Sequence, residues 1–172
     1  VAAAPTVSVF DKNGDPVLNI TPVPGIKISF RKASLPVQTL YYFQADIRDN
    51  SDSAGRFFKW CESIGSGNSL LKSATYLLHE TNFDVARQFL LSRSKLLVQD
   101  DSGIPLRFFD TSQWTLQCHG TYTIPIRSFE KYQQPDLSEL YRQQKPTSLQ
   151  FGFGYMSRPA NSGLMIAIKK AN

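Results

Sequence analysis

Apolar and polar residues alternate at both ends of the chain and follow a longer period in the middle. Val7 and Val9 alternate with polar neighbours, Asp11-Lys12-Asn13-Gly14-Asp15-Pro16 carries turn chemistry, and Val17-Leu18-Asn19-Ile20 follows, so this stretch reads as a hairpin. Pro22, Pro24 and Gly25 break it, and Ile26-Lys27-Ile28-Ser29-Phe30 begins a clean strand. From Val37 to Ile47 there are apolar residues on both faces (Leu40 and Tyr42 against Tyr41, Phe43 and Ala45), which predicts a strand covered on both sides.

The period then lengthens. Residues 49–53 supply helix-capping side chains ahead of Phe57, Phe58, Trp60, Cys61 and Ile64, whose helical spacing runs to Gly65. Leu70, Leu71, Ala74, Leu77 and Leu78 form a stripe that predicts a helix from Asn68 to Glu80. Val85, Ala86, Phe89, Leu90, Leu96 and Leu97 predict a third, starting at Asn82 and stopped by Asp100-Asp101-Ser102-Gly103, with Gly103 in a left-handed position. Strand character returns over 104–109 and 114–122, a short helix over 135–141, and strands again over 149–155 and 164–168. This is an α+β fold: a mostly antiparallel sheet from the N- and C-terminal strands, covered by about three central helices.

With 172 residues, 41% hydrophobic and 19% charged, the chain reads as a single α+β domain over 1–172, its first five residues a processing or expression remnant. That length buries a core without help from disulfide or metal. No apolar run approaches the ~20 residues that cross a bilayer, which excludes a transmembrane helix. Cys61 and Cys118 share no metal or redox spacing; buried thiols and a long-range disulfide both stay open. No phosphate loop, dinucleotide glycine pattern, G-x-S-x-G or H-E-x-x-H occurs, so no cofactor is expected.

Charge placement adds a candidate surface. The net charge is +5, no acid follows Glu139, and Arg142, Lys145, Arg158, Lys169 and Lys170 remain. Phe151, Phe153 and Tyr155 lie among them, so Phe151, Phe153, Tyr155, Arg158, Lys169 and Lys170 together fit an anionic or glycan-like partner. Nucleic acid is not the expected ligand.

Candidate chemistry concentrates elsewhere. On the predicted helix over 68–80, Lys72, Tyr76 and His79 fall on the face opposite the leucines, groups able to act as base or acid. Lys72 and Ser73 point about 100° apart on a helix, which argues against a dyad between them. Asp100 and Asp101 precede Ser102 and Gly103 but lack the further carboxylates of a calcium loop, so no metal is assigned. Arg107 is expected to pair with one of these aspartates and pin the turn. The first functional reading is an accessory or binding domain working through its basic aromatic surface. The second is a hydrolase-type enzyme in which Lys72, Tyr76, His79, Asp100, Asp101 and Arg107 converge in one cleft. The third is a structural half that packs on a missing partner and exposes an apolar patch.

The segments 25–30, 39–43, 70–79, 99–105, Tyr132-Gln133-Gln134-Pro135-Asp136-Leu137 and Phe151-Gly152-Phe153-Gly154-Tyr155 together resemble the C-terminal half of a family of uncharacterised bacterial proteins that usually carry export signals. The resemblance covers most of residues 25–170. It departs from the family pattern at Gln134 and at Tyr155-Met156-Ser157-Arg158, where a tryptophan near the arginine is expected. The resemblance implies an exported bacterial protein, periplasmic or extracellular, whose missing N-terminal half is a further candidate partner. It implies no catalytic role for any residue.

Overall fold

The computed structural model describes residues 6–10, 25–31, 35–43, 45–63, 65, 67–122, 124–125, 127–152 and 158–171. They fall into two compact units, residues 1–47 with 51–57, and residues 48–50 with 58–172.

The first unit holds a three-stranded antiparallel sheet in the order β1-β2-β3, formed by Thr6–Phe10, Gly25–Phe30 and Gln38–Phe43. β1 pairs with β2 (Val7 opposite Ile28, Val9 opposite Ile26); the 17–20 segment read as the hairpin mate of the first strand lies outside the described residues. Helix α1, Asp52–Ser63, starts where the capping residues placed it and ends at Gly65, whose φ of +88° and N–H bond to the Glu62 carbonyl make a left-handed helix stop.

The second unit is built on a four-stranded sheet in the order β4-β5-β7-β6, from Gly67–Leu71, Ser94–Gln99, Gly163–Lys169 and Trp114–Gly120. β4 and β5 run parallel, joined through helix α2, Asp84–Arg93; the other two pairs are antiparallel. The α+β class therefore holds, but with two sheets, one of them mixed. Two of the three central helices form among the described residues, α1 and α2, while the predicted 68–80 helix does not; the short helix expected over 135–141 is α3, Pro135–Gln144.

Two helix predictions fail for one reason. Residues 67–71 are extended and 77–79 form a single 3-10 turn, so the leucine stripe is split: Leu70 is 68% exposed while Leu78 is buried. α2 stops at Arg93, and Leu96 and Leu97 belong to β5 instead, with Leu97 fully buried opposite Ala167. Both leucine pairs belong to strands that pair with each other, Leu70 opposite Val98, and a short apolar run does not by its spacing alone distinguish a strand from a helix. Residues 104–109, read as a strand, form a turn and a 3-10 helix over Leu106–Phe108. Residues 149–152 are not in a strand, and 153–155 lie outside the described residues.

Capping of α2 is also non-local. No side chain next to its N-terminus caps it; the Asp49 carboxylate accepts the Asp84 and Val85 amides at 3.0 and 2.9 Å. At the far edge of the sheet, the Gln144 side chain from α3 accepts the Cys118 amide and donates to the Leu116 carbonyl, standing in for a neighbouring strand along β6.

Candidate functional site

The segment after β4 and the turn after β5 meet, and this brings the predicted chemical residues together without the predicted helix. Lys72 Nζ lies 3.3 Å from Asp100 Oδ2, Tyr76 OH donates to Asp101 Oδ2 at 2.6 Å, and His79 Nε2 lies 3.1 Å from the Asp101 carbonyl oxygen. A carbonyl cannot donate, so Nε2 is the protonated nitrogen of His79.

The turn itself is locked. Ser102 gives its amide and hydroxyl to Asp100 Oδ1 and accepts the Ser73 amide; Gln99 clamps both the amide and the carbonyl of Ile104. Gly103 is needed for space, because a Cβ there would sit 2.6 Å from the Gln99 side chain. Both Asp100 oxygens thus carry hydrogen bonds, and among the described residues no cluster of three or more His, Cys, Asp or Glu could hold a metal ion.

Tyr76 is 1% exposed with φ 54°, the left-handed region a tyrosine rarely adopts. Its ring stacks on Tyr132 (5.1 Å, 10°) and meets His79 edge-on. Tyr132 in turn donates to Glu80, which Lys131 also approaches at 3.1 Å. Behind this loop the buried Arg87 guanidinium donates to the Leu78 and Glu80 carbonyls, pairs with Asp84 and lies 4.5 Å from the Phe108 ring. Arg107 also sits over Phe108, 4.9 Å from the ring centre, rather than on either aspartate, so the expected ion pair is absent and a cation–π contact takes its place.

Burial shifts two of these groups in opposite senses. Desolvation pushes Asp101 up to about 6, with the Tyr76 hydrogen bond opposing and the Asp100 charge assisting. Desolvation lowers His79 to about 4, against the hydrogen bond of the Asp101 backbone and with the nearby charge of Arg107. Asp101 therefore adds stability at low pH that is lost as pH rises towards 6; His79 adds stability at neutral pH that is lost as pH falls from 6.5 towards 4. The two nearly cancel between pH 4 and 6. Asp101→Asn should unmask the histidine, making the variant lose ~1–2 kcal/mol more than wild type on acidification, and His79→Gln should do the reverse, allowing for screening of partly open groups. Urea titrations at pH 7.5, 5.5 and 4.5 measure this; parallel pH curves for all three proteins would refute it.

A cleft of about 560 Å³ adjoins this cluster, lined among others by Tyr122, Ile124, Gln133, Gln134, Ser138, Tyr141 and Arg142. Gln134 connects the two. Its side chain donates to the Asp101 carbonyl (2.9 Å) and accepts the Leu106 amide (2.8 Å), while its backbone N–H donates to Tyr122 OH (3.0 Å). α3 starts at the next residue and carries Ser138, Tyr141 and Arg142. Arg142 is already matched: its guanidinium pairs with Glu139, to which Gln143 also donates. The sequence places Tyr122 in a strand and Tyr141 in the short helix over 135–141, and Gln134 carries no signal beyond the Tyr-Gln-Gln-Pro segment.

Four members of the expected basic aromatic surface, Phe151, Arg158, Lys169 and Lys170, are among the described residues. Phe151 and Arg158 are exposed, but Phe153 and Tyr155 lie outside the described residues. Lys169 Nζ donates to the Leu91 and Ser92 carbonyls at the end of α2, and Lys170 Nζ to the Thr111 carbonyl, so both ammonium groups serve to close backbone ends. Cys61 and Cys118 are free thiols, and burial pushes Cys118 up to about 12, an inert sulfur. No helix among the described residues is long and apolar enough to cross a membrane. No family model, curated protein or solved structure matches the chain.

Proposed function

We propose that this protein is a binding module for a neutral, polyhydroxylated, glycan-like ligand, held in the cleft between the segment after β6 and α3. The observation that carries this reading is the lining of the cleft: the Tyr122 ring, the Gln133 amide and the Ser138 hydroxyl, set against the buried Gln134 and Tyr141, with the Arg142 cation already paired with Glu139. Rings and planar amides match the apolar faces and hydroxyl edges of a sugar, and the volume is in the ~300–1,000 Å³ range of small-ligand sites. The matched Arg142 argues for a neutral ligand over an anionic one. On the sequence resemblance we place the protein among exported bacterial proteins.

NMR titration with maltohexaose, cellohexaose and chitohexaose tests the reading. At least one should shift the resonances of Tyr122, Gln133 and Ser138, and Tyr122→Ala should weaken that binding ~10-fold or more, as for a central aromatic anchor. If no sugar moves these signals, or if Tyr122→Ala binds like wild type, the reading falls.

A second reading, hydrolysis by acid–base catalysis, is supported by the half-buried Asp101 carboxyl held near pH 6 beside Lys72. Tyr76, being buried, could only position that carboxyl. Release of new reducing ends from the same sugars, lost in Asp101→Asn, would favour this reading over binding alone.

A further inference from the structure

Four residues linked by three hydrogen bonds run in series from the interior to the cleft wall: Tyr76 OH to the Asp101 carboxylate, then the Gln134 side-chain amide to the Asp101 carbonyl, and the Gln134 backbone N–H to Tyr122 OH. The last two line the cleft. We infer that Asp101 is a proton-operated latch on this cleft, its neutral form holding the Gln134 and Tyr122 wall in place and its charged form loosening it, so that ligand is held more tightly in mildly acidic than in neutral solution.

The physical basis is a charge set where it is poorly solvated and close to another of the same sign. Asp101 follows Asp100, whose carboxylate is pinned by Lys72 and Ser102 and cannot move away. A second negative charge next to it is relieved most easily by displacing residue 101, and the backbone carbonyl of that residue is the acceptor that Gln134 needs. Burial raises the pKa of Tyr122, the Gln134 backbone hydrogen bond opposes this, and the charges of Asp101 and Asp136 add to the rise.

The other titratable and charged groups around Asp101 set the conditions. Lys72 favours the carboxylate, and Tyr76 stabilises it by donation. His79 shares the Asp101 carbonyl with Gln134, under the influence of Arg107 and Arg87. Tyr141, on α3, also feels both aspartates, and burial keeps it protonated. The carboxyl changes state near pH 6 and the imidazole near 4, so between pH 5 and 7 the aspartate dominates.

The inference rests on the cleft being the ligand site, but its test needs no ligand. In the full chain, the Gln134 side-chain amide and Tyr122 ring signals are followed by NMR from pH 4.5 to 8 alongside the Asp101 carboxyl carbon. All three should share one midpoint near 6, and the movement at Gln134 and Tyr122 should be lost in Asp101→Asn. Tyr76→Phe, which removes a donor to the carboxylate, should move the common midpoint to higher pH. His79→Gln should leave it in place. A carboxyl that titrates while Gln134 and Tyr122 stay silent would overturn the latch, as would movement that survives Asp101→Asn or vanishes in His79→Gln. A wall that titrates in a protein that binds none of the three sugars would leave the latch standing and remove the glycan reading alone.

Discussion

Replacing Arg87 with leucine is expected to lower the stability of the second unit by ~3–5 kcal/mol, the usual scale for removing one member of a buried charged network. Arg87 is 3% exposed and holds three groups at once: the carbonyls of Leu78 and Glu80, at 2.8 and 2.6 Å, and the Asp84 carboxylate. Without the guanidinium, two backbone acceptors beside the His79 turn lose their donor, at ~1–3 kcal/mol each when left buried and unpaired. Lysine keeps the charge but has no planar fork, so Arg87→Lys should recover less than half of the loss. Trp60 and Trp114 both belong to the second unit, so urea unfolding followed by tryptophan fluorescence reads the effect directly. A loss below ~1 kcal/mol would mean that this network contributes far less than buried networks generally do.

A comparable effect is expected at Gly120, for a different reason. Gly120 ends β6 opposite Gly163, and the pair of glycines lets the following backbones close up, with Thr121 N–H on the Ser162 carbonyl at 2.9 Å. Gly120 has φ +78°, and a Cβ there would lie 2.1 Å from the Ser162 carbonyl oxygen and 2.9 Å from the Leu149 side chain. Gly120→Ala therefore combines left-handed strain, ~1–2 kcal/mol, with a backbone collision that must open the end of the sheet, and a total of ~3 kcal/mol or more is expected. Gly65 separates the two contributions. It has φ +88° but nothing within 4 Å of the Cβ position, so Gly65→Ala should show the strain alone. Equal losses at the two sites would show that the close approach at Gly120 relaxes at no cost. Gly120 also lines the cleft, so Gly120→Ala should weaken ligand binding beyond its effect on stability.

That Lys72, Tyr76 and His79 lie near Asp100 and Asp101 is legible in the sequence only as a grouping, and the helix behind that grouping does not form. A helix would put Lys72, Tyr76 and His79 on one face, but β4 ends at Leu71 and a turn and a 3-10 helix follow it. They still gather, because Lys72 reaches Asp100 while Tyr76 and His79 reach Asp101, 22 to 28 residues away in the chain. The aspartates stand out as an adjacent pair before Ser102 and Gly103, and the fold supplies their partners. Arg107, chosen for its proximity in sequence, went to an aromatic ring instead. Gln134 and Tyr122, which join the cluster to the cleft, could not be found by pattern, since a glutamine amide has no preferred partner until a fold presents one.

What the sequence by itself determined is local. The capping side chains and Gly65 bound α1, alternation marks β2 and β6, and the Pro-Asp start marks α3, since each of these follows from dihedral preferences and faces that neighbouring residues share. What only the tertiary structure decided is the identity of the leucine-rich middle and the existence of the site. Leu70 and Leu97 lie in extended segments because β4 and β5 pair side by side across an α2 crossover, and strand pairing between distant segments outweighs a helical spacing worth only tenths of a kcal/mol per residue. By the same pairing, the ends of those two strands are brought together, and with them the Lys72–Asp100 and Tyr76–Asp101 contacts that no local rule contains.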